Sequence, residues 1–302
     1  MSIEFRIAKN DDISSLHEVW KKVFASTDEM LFFEYYYPKG RCIIAQSDGV
    51  VVSMGVLLPC GNYLHNKNTY PCAMIYALAT LQEYRERGLG SAIVRKLLEL
   101  GRSAGYPVTI LCPSGDSVFQ YYLNNTEFAE CFCINEIILP DSFPKSNEAP
   151  ITQIDPREYL NLRNPLLSGT AHVAMDYHAI NYQHKLCTLY GGGLYRVDFN
   201  EKTALAGIEK ISDKELLIKE LLCPPELLQE SISVITAKFP CDEYIIRFPA
   251  PKDVIPDSRD YSDIFTPLRV RTRKFGMIAA TDAIRYSIAD EKCTAWYGFA
   301  FD

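Results

Sequence analysis

The sequence is poor in the features that would place it in several large protein classes. Its ten cysteines include no C-x-x-C pair and lie scattered along 302 residues. Neither a zinc site nor a dense disulfide framework is therefore expected, and the thiols read as free and buried. Cys131 and Cys133 stand two apart in an expected strand, on one face, where they pack rather than ligate. The five histidines, His17, His65, His172, His178 and His184, show no mutual spacing suited to a metal or to a Ser/His pair, so no metal and no triad hydrolase is expected. The longest apolar run, residues 49–60, is too short to span a bilayer, and the first residues carry neither a basic leader nor an apolar signal core. A cytoplasmic protein with no membrane partner is expected. Basic residues are also in deficit, with 31 Lys and Arg against 38 Asp and Glu and a formal charge of −7. That balance argues against a nucleic-acid partner, because phosphate binding needs concentrated positive charge.

What is present is a globular composition, 48% hydrophobic and 23% charged, in a chain long enough for two domains that each bury a core. The spacing predicts a strand over residues 3–8 and then a helix capped by Asp11 or Asp12 that runs through Leu16, Val19, Trp20 and Val23. Ser26 and Glu29 have capping-box spacing for a second short helix, ended by Pro38 and Gly40. Residues 42–45 and 50–58 read as a hairpin, and residues 73–80 as a further strand. An amphipathic helix over 89–104, a strand over 108–112, a short helix over 117–123 and a long strand over 128–139 complete an α/β unit. Residues 140–150 have the composition of a linker. Beyond them, helices over 156–167 and 178–189, strands over 194–199, 203–211 and 216–222, a helix over 225–239 and a strand over 244–248 echo the first half. Strands near 269–278 and 295–301 would complete a second sheet, with Arg269, Arg271 and Arg273 alternating along a solvated edge.

The chemistry concentrates in one loop. Arg85, Glu86, Arg87, Gly88, Leu89 and Gly90, followed by Ser91, fit R-x-x-G-x-G at a strand-to-helix junction, where backbone N–H groups lack intrahelical partners. The helix dipole favours an anion there, and glycines let a pyrophosphate approach the backbone. A Rossmann site would need a third glycine where Ile93 stands, and no G-x-x-x-x-G-K-[ST] run occurs here.

On those residues, the segment 73–128 resembles the GNAT superfamily of acyl-CoA N-acyltransferases. The resemblance implies two GNAT-like domains, 1–140 and 151–302, each a mixed, mostly antiparallel twisted sheet flanked by helices. The second would be a degenerate copy, since residues 216–222 lead into Cys223, Pro224, Pro225 and Glu226 with no glycine loop. It implies that acetyl-CoA is the acyl donor, with Leu78, Ala79 and Thr80 beside its pantetheine arm and Arg85 to Ser91 holding its pyrophosphate. The family's tyrosine matches Tyr122, with Tyr121 competing because the stretch to Phe128 is one residue longer than usual and Glu127 stands where glycine is expected.

Transfer to an amine needs a neutral nucleophile, an oxyanion donor and a proton for the departing thiolate. Tyr122 suits the last, and a backbone N–H near Leu78 or Ala79 the second. Asp28, Glu29, Glu34, Glu136 and the Asp302 carboxylate all remain open as bases, although Glu29 better completes a helix cap and Glu136 better faces solvent. Phe32, Phe33, Tyr35, Tyr36 and Tyr37 either wall the acceptor pocket or, for Phe32 and Tyr36, pack in the core. The expected activity is acetyl transfer from CoA to a primary amine of a small molecule or peptide. The alternative is a catalytically inactive CoA-binding regulatory module.

Overall fold

The computed structural model describes residues 2–249, 270–282, 284–285 and 295–300. In chain order its elements are β1 (Ile3–Ile7), α1 (Ile13–Phe24), α2 (Glu29–Tyr35), β2 (Cys42–Ser47), β3 (Val50–His65), β4 (Asn68–Thr80), α3 (Leu89–Ser103), β5 (Val108–Leu111), α4 (Asp116–Asn125) and β6 (Ala129–Pro140). There follow β7 (Ile151–Gln153), α5 (Pro156–Leu166), β8 (His172–Met175), α6 (Tyr177–Leu189), β9 (Gly193–Phe199), β10 (Lys202–Lys210), β11 (Glu215–Leu222), α7 (Leu228–Lys238), β12 (Glu243–Phe248) and β13 (Arg271–Ala280). Local sequence explains many boundaries. α3 buries Ile93, Val94, Leu97 and Leu98 and exposes Arg95, Lys96 and Glu99, the pattern of a helix lying on a sheet. α5 starts at Pro156, with Asp155 accepting from the backbone N–H groups of Arg157 and Glu158.

Two of the expected caps form differently. Asp12 takes the N–H of Lys9 at 2.7 Å and pairs with Arg6 at 2.7 Å, closing a short 3-10 turn instead of capping α1 with its side chain. Ser26 accepts from the Trp20 indole at 2.8 Å, while Glu29 is buried against His17 and Lys21, so the Ser26/Glu29 capping box is not made.

The strands form one twisted, mixed sheet in the order β1-β2-β3-β4-β5-β13-β6-β12-β11-β10-β9-β7, with β8 added to β3. Its ladders are antiparallel except two. β4 runs parallel to β5 and β11 parallel to β12. Each parallel pair is bridged by a helix, α3 in the first half and α7 in the second, so the second half repeats the strand–helix–strand plan of the first. β6 joins the halves, pairing with β12 at one end and with β13 along the other.

β13 is thus an inner strand between β5 and β6, not a solvated edge. The reason is chemical: Glu136 on β6 stands opposite Arg271 and takes Arg273 at 3.0 Å and Arg247 at 3.3 Å, which offsets part of the charge of the alternating arginines. The rest of β13, from Phe275 to Ala279, is buried and apolar enough to serve as a central strand. Glu136 consequently faces partners rather than solvent, and Arg269 lies outside the described residues. Over 295–300 the ladder expected there reduces to two bridges, Phe132 with Ala295 and His172 with Trp296. Trp296, Tyr297 and Phe299 are instead a buried aromatic plug. Phe301 and Asp302 lie outside the described residues.

The second half is held together by a buried ionic cluster. Arg163 and Glu220, both 0% exposed, pair at 2.7 Å, and Glu220 also accepts from Trp296 at 3.0 Å and Tyr159 at 3.3 Å. Arg163 further donates to the Val173 carbonyl at 2.9 Å. Glu220→Ala leaves a buried guanidinium unpaired and is expected to cost about 3–5 kcal/mol, whereas Arg163→Met combined with Glu220→Leu recovers most of that loss. Urea unfolding midpoints of the two variants check it; equal losses would contradict the account.

Stability also carries an alkaline limit. Burial pushes the thiols of Cys42 and Cys131 up to about 12, from an ordinary value of 9.0. The folded state therefore holds protons that the unfolded chain releases, so this contribution is complete below about pH 9 and falls as pH rises from there toward about 12. A unfolding free energy that stays flat from pH 8 to pH 11 would contradict it.

Candidate active site

β4 and β5 run together only where Cys72, Ala73 and Met74 meet Val108, Thr109 and Ile110. Beyond Met74 they separate, so that from residue 75 onward β4 pairs only with β3. β4 is also bulged there. Its partner jumps from Met54–Ala79 to Val56–Tyr76, and Ala77 takes a left-handed φ of 50°. Gly55 lies opposite the bulge, and a Cβ on it would come within 2.8 Å of Ile93 and 3.1 Å of Leu78. Only glycine lets α3 lie this close over the strands.

The strand leads directly into the expected loop. The Ala79 carbonyl accepts from Ser53 Oγ at 2.7 Å, the Thr80 carbonyl accepts from Arg85 Nε at 3.2 Å, and Leu81 donates its N–H to Val52 O at 3.0 Å. Glu86 and Gly88 then adopt positive φ, 63° and 73°. Gly88 is the residue before the first turn of α3, and no side chain caps that helix. The first intrahelical bond in the turn runs from Ala92 N to Gly88 O at 3.1 Å, so the amides of Leu89, Gly90 and Ser91 precede it. Ser91 Oγ donates to Gly88 O at 3.0 Å. Gly88 and the flanking Arg85, Glu86 and Arg87 are exposed. The arginines are not merely solvated, since Arg87 donates to the Glu83 carbonyl at 2.8 Å and lies over the Tyr84 ring.

Tyr121 and Tyr122, adjacent on α4, point to different places. The Tyr121 hydroxyl would stand 3.0 Å from a Cβ on Gly90, which places it at the opening turn of α3. Tyr122 is 7% exposed and lines a cavity of about 670 Å³ that also meets Leu78 and Val118. Burial, and then the neighbouring Tyr121, push the Tyr122 phenol well above its ordinary value, so it keeps its proton. Glu127, in the place where glycine was expected, is used otherwise: it pairs with Arg102 of α3 and ties the end of α4 to that helix.

The cavity lies between the parted ends of β4 and β5 and the second half of the chain. Met74 to Leu78 and Leu111 to Ser114 form one side, Trp20, Phe24 and Asp28 another, and Tyr190, Glu209, Lys210 and Lys219 the side built by the second half. Of the expected site strand, only Leu78 reaches it; Ala79 and Thr80 turn to Ser53 and Arg85. Of the carboxylates held open as bases, Asp28 alone among the described residues lines the cavity. Glu29 is paired with His17, Glu34 is exposed on α2, and Glu136 is held by arginines. Of the aromatic run of α2 and the loop after it, Phe32 is buried and Tyr36 stacks on Tyr182 of α6 at 4.6 Å, Phe33 and Tyr37 are half-buried, and Tyr35 is exposed. The walls are aromatic all the same, through Trp20, Tyr76 and Tyr190, which helical and strand periodicity mark only as core positions.

Residues 4–123 match the family model of an acetyltransferase (GNAT) domain. No curated protein matches the chain in sequence. Solved structures share the fold across both halves. A GCN5-related N-acetyltransferase from Anabaena variabilis superposes with a TM-score of 0.70 at 12% identity, over 93% of this chain and 74% of that one. One from Kribbella flavida gives 0.67 at 14% identity, over 93% and 72%. A putative acetyltransferase from Pyrococcus horikoshii gives 0.58 at 17% identity, over 99% and 94%.

Proposed function

We propose that this chain, which carries a GNAT domain over residues 4–123, is an acetyl-CoA-dependent N-acetyltransferase acting on a primary amine of a small molecule or peptide. One observation carries the reading: the parted edge of β4 and the buried Tyr122 phenol line one cavity, and β4 leads from it into the uncapped start of α3. In it, residues 1–140 form the catalytic domain and residues 151–302 a degenerate copy that lends a wall to the cavity.

The amides of Leu89, Gly90 and Ser91, with the dipole of α3 and the charges of Arg85 and Arg87, meet the pyrophosphate. The pantetheine arm lies along β4 where β5 has left it, which brings the thioester to the bulge at Leu78. The amine nitrogen attacks the thioester carbon, and a backbone N–H at the bulge takes the oxyanion. Collapse forms the C–N product and breaks the C–S bond, the amine's surplus proton leaving to a base or water. Tyr122 holds its O–H on the departing sulfur. Because burial sets its pKa above that of a thiol, the phenol acts chiefly by hydrogen-bonding the thiolate rather than by full proton donation.

An acyl-CoA by amine screen, read as free thiol released, tests the proposal. Thiol release that depends on both acetyl-CoA and an amine is the expected result. Binding of acetyl-CoA with no release from any amine would mark a CoA-binding regulatory module instead.

A further inference from the structure

The second half of the chain gives the cavity a set of charges that the transfer chemistry leaves unused. Lys219 on β11 and Glu209 on β10 are nearly buried and face each other, with Nζ 3.2 and 3.4 Å from the two carboxylate oxygens. Their charges cancel. Arg247, also on the lining, shares Glu136 with Arg273, at 3.3 and 3.0 Å. Two charges of opposite sign then remain on the lining. Asp28, between α1 and α2, is 8% exposed, and its Oδ1 has no hydrogen-bond partner. Lys210, at the end of β10, is exposed, and its backbone N–H donates to the Tyr190 carbonyl at 2.9 Å. Tyr190 lines the cavity together with both groups. Burial raises its phenol first, a hydrogen bond with Thr27 lowers it, and the carboxylates of Asp28 and Glu209 raise it further.

This layout discriminates among amines. A simple monoamine would answer Asp28 and leave Lys210 idle. A diamine or longer polyamine would answer Asp28 and then meet Lys210 and the ammonium side of Lys219. A molecule that carries both a cationic and an anionic group complements both walls, because the buried Asp28 carboxylate is costly until it is paired and the exposed Lys210 ammonium attracts an anion. The remaining surface favours an apolar body, since Trp20, Phe24, Tyr76, Ile211 and Leu217 line the same space.

We propose that the acceptor is zwitterionic, an amino acid with a free carboxylate and an apolar side chain, its amino group held at Asp28 and its carboxylate at Lys210. The assignment rests on the acyl-transfer reading above and adds to it the class of acceptor and the role of the second half in choosing it.

The test measures thiol release from acetyl-CoA with the full chain and four acceptors: L-phenylalanine, L-phenylalaninamide, phenethylamine and 1,4-diaminobutane. The expected kcat/KM for L-phenylalanine exceeds that for each of the others by about threefold or more, the size of effect that a solvent-exposed charge pair gives. Lys210→Gln, on an exposed residue whose replacement does not threaten folding, is expected to bring the preference for phenylalanine over its amide close to unity. Equal or faster turnover of the amide, of phenethylamine or of the diamine overturns the proposal, and so does an unchanged preference in Lys210→Gln. Thermal shift by acetyl-CoA, run beside the assay, separates the two levels. A retained shift with no turnover of phenylalanine removes the zwitterion and leaves the acyl-CoA site standing, whereas loss of the shift itself removes both.

Discussion

Acetyl-CoA added to the chain at about 100 times its dissociation constant is expected to raise Tm by several degrees, and Gly88→Val is expected to erase that rise. The first half follows from linkage, since a ligand at that excess stabilises the folded state by about 2.7 kcal/mol. The second half follows from backbone geometry. Gly88 has a φ of 73° immediately before α3, where a β-branched residue is strained by about 1–3 kcal/mol. No atom lies within 4 Å of where its Cβ would be, so nothing in the protein opposes the side chain itself. The valine is therefore expected to reorient the loop and withdraw the amides of Leu89, Gly90 and Ser91 from a common centre. The variant's own Tm falls somewhat, so the diagnostic quantity is the ligand-induced rise within each protein. A rise in Gly88→Val equal to that of the wild type would show that the pyrophosphate is held elsewhere.

Tyr122→Phe is expected to lower kcat by about 10²-fold, the usual cost of losing one preorganised hydrogen bond to a developing anion, with the affinity for acetyl-CoA unchanged. Tyr122 is buried and lines the cavity together with Leu78, whereas no residue of the loop 85–91 lines it. Tyr121 supplies the contrast. Its hydroxyl lies beside Gly90, and Tyr121→Phe is expected to weaken acetyl-CoA binding with a smaller change in kcat. Steady-state kinetics with calorimetric binding of acetyl-CoA separates the two. An exchange of these phenotypes would move the catalytic role to Tyr121.

The loop was the most legible part of the site. Glycine at 88 and 90, flanked by arginines and followed by an amphipathic helix, specifies both a positive φ and an open helix start, and the structure has both. The strands β2, β9, β10 and β11 were also readable, because alternating or continuous apolar runs between turn residues leave few other outcomes, whereas β3 runs on to His65 and β4 starts at Asn68, a hairpin extension beyond the expected 50–58 and 73–80. What escaped was set by contacts distant in sequence. β8 is four residues long and forms only because β3 continues past the bulge at Gly61 and offers it an edge. β13 reads as a polar edge until Glu136, Arg247 and Arg273 are brought together across three strands. The order of Tyr121 and Tyr122 could not be read from spacing, since adjacent helical residues point in different directions and only the path of α4 decides which one faces the cavity. Asp28 was one carboxylate among five until the fold paired or exposed the other described ones. Nothing in its neighbours' identities marks it, because the groups that isolate it, Trp20, Tyr182 and Tyr190, come from two separate helices and the turn that follows the second.

The account turns on the start of α3 gripping a diphosphate, and isothermal titration with CoA and with pantetheine addresses that directly. Pantetheine carries the thiol arm and lacks the diphosphate. One CoA is expected to bind per chain, because the second half enters α7 through Pro224 and Pro225 and has no glycine loop, and pantetheine is expected to bind at least 100-fold more weakly, the loss that charge-assisted bonds to several amides imply. Equal affinities for the two, or two CoA molecules bound per chain, would contradict it.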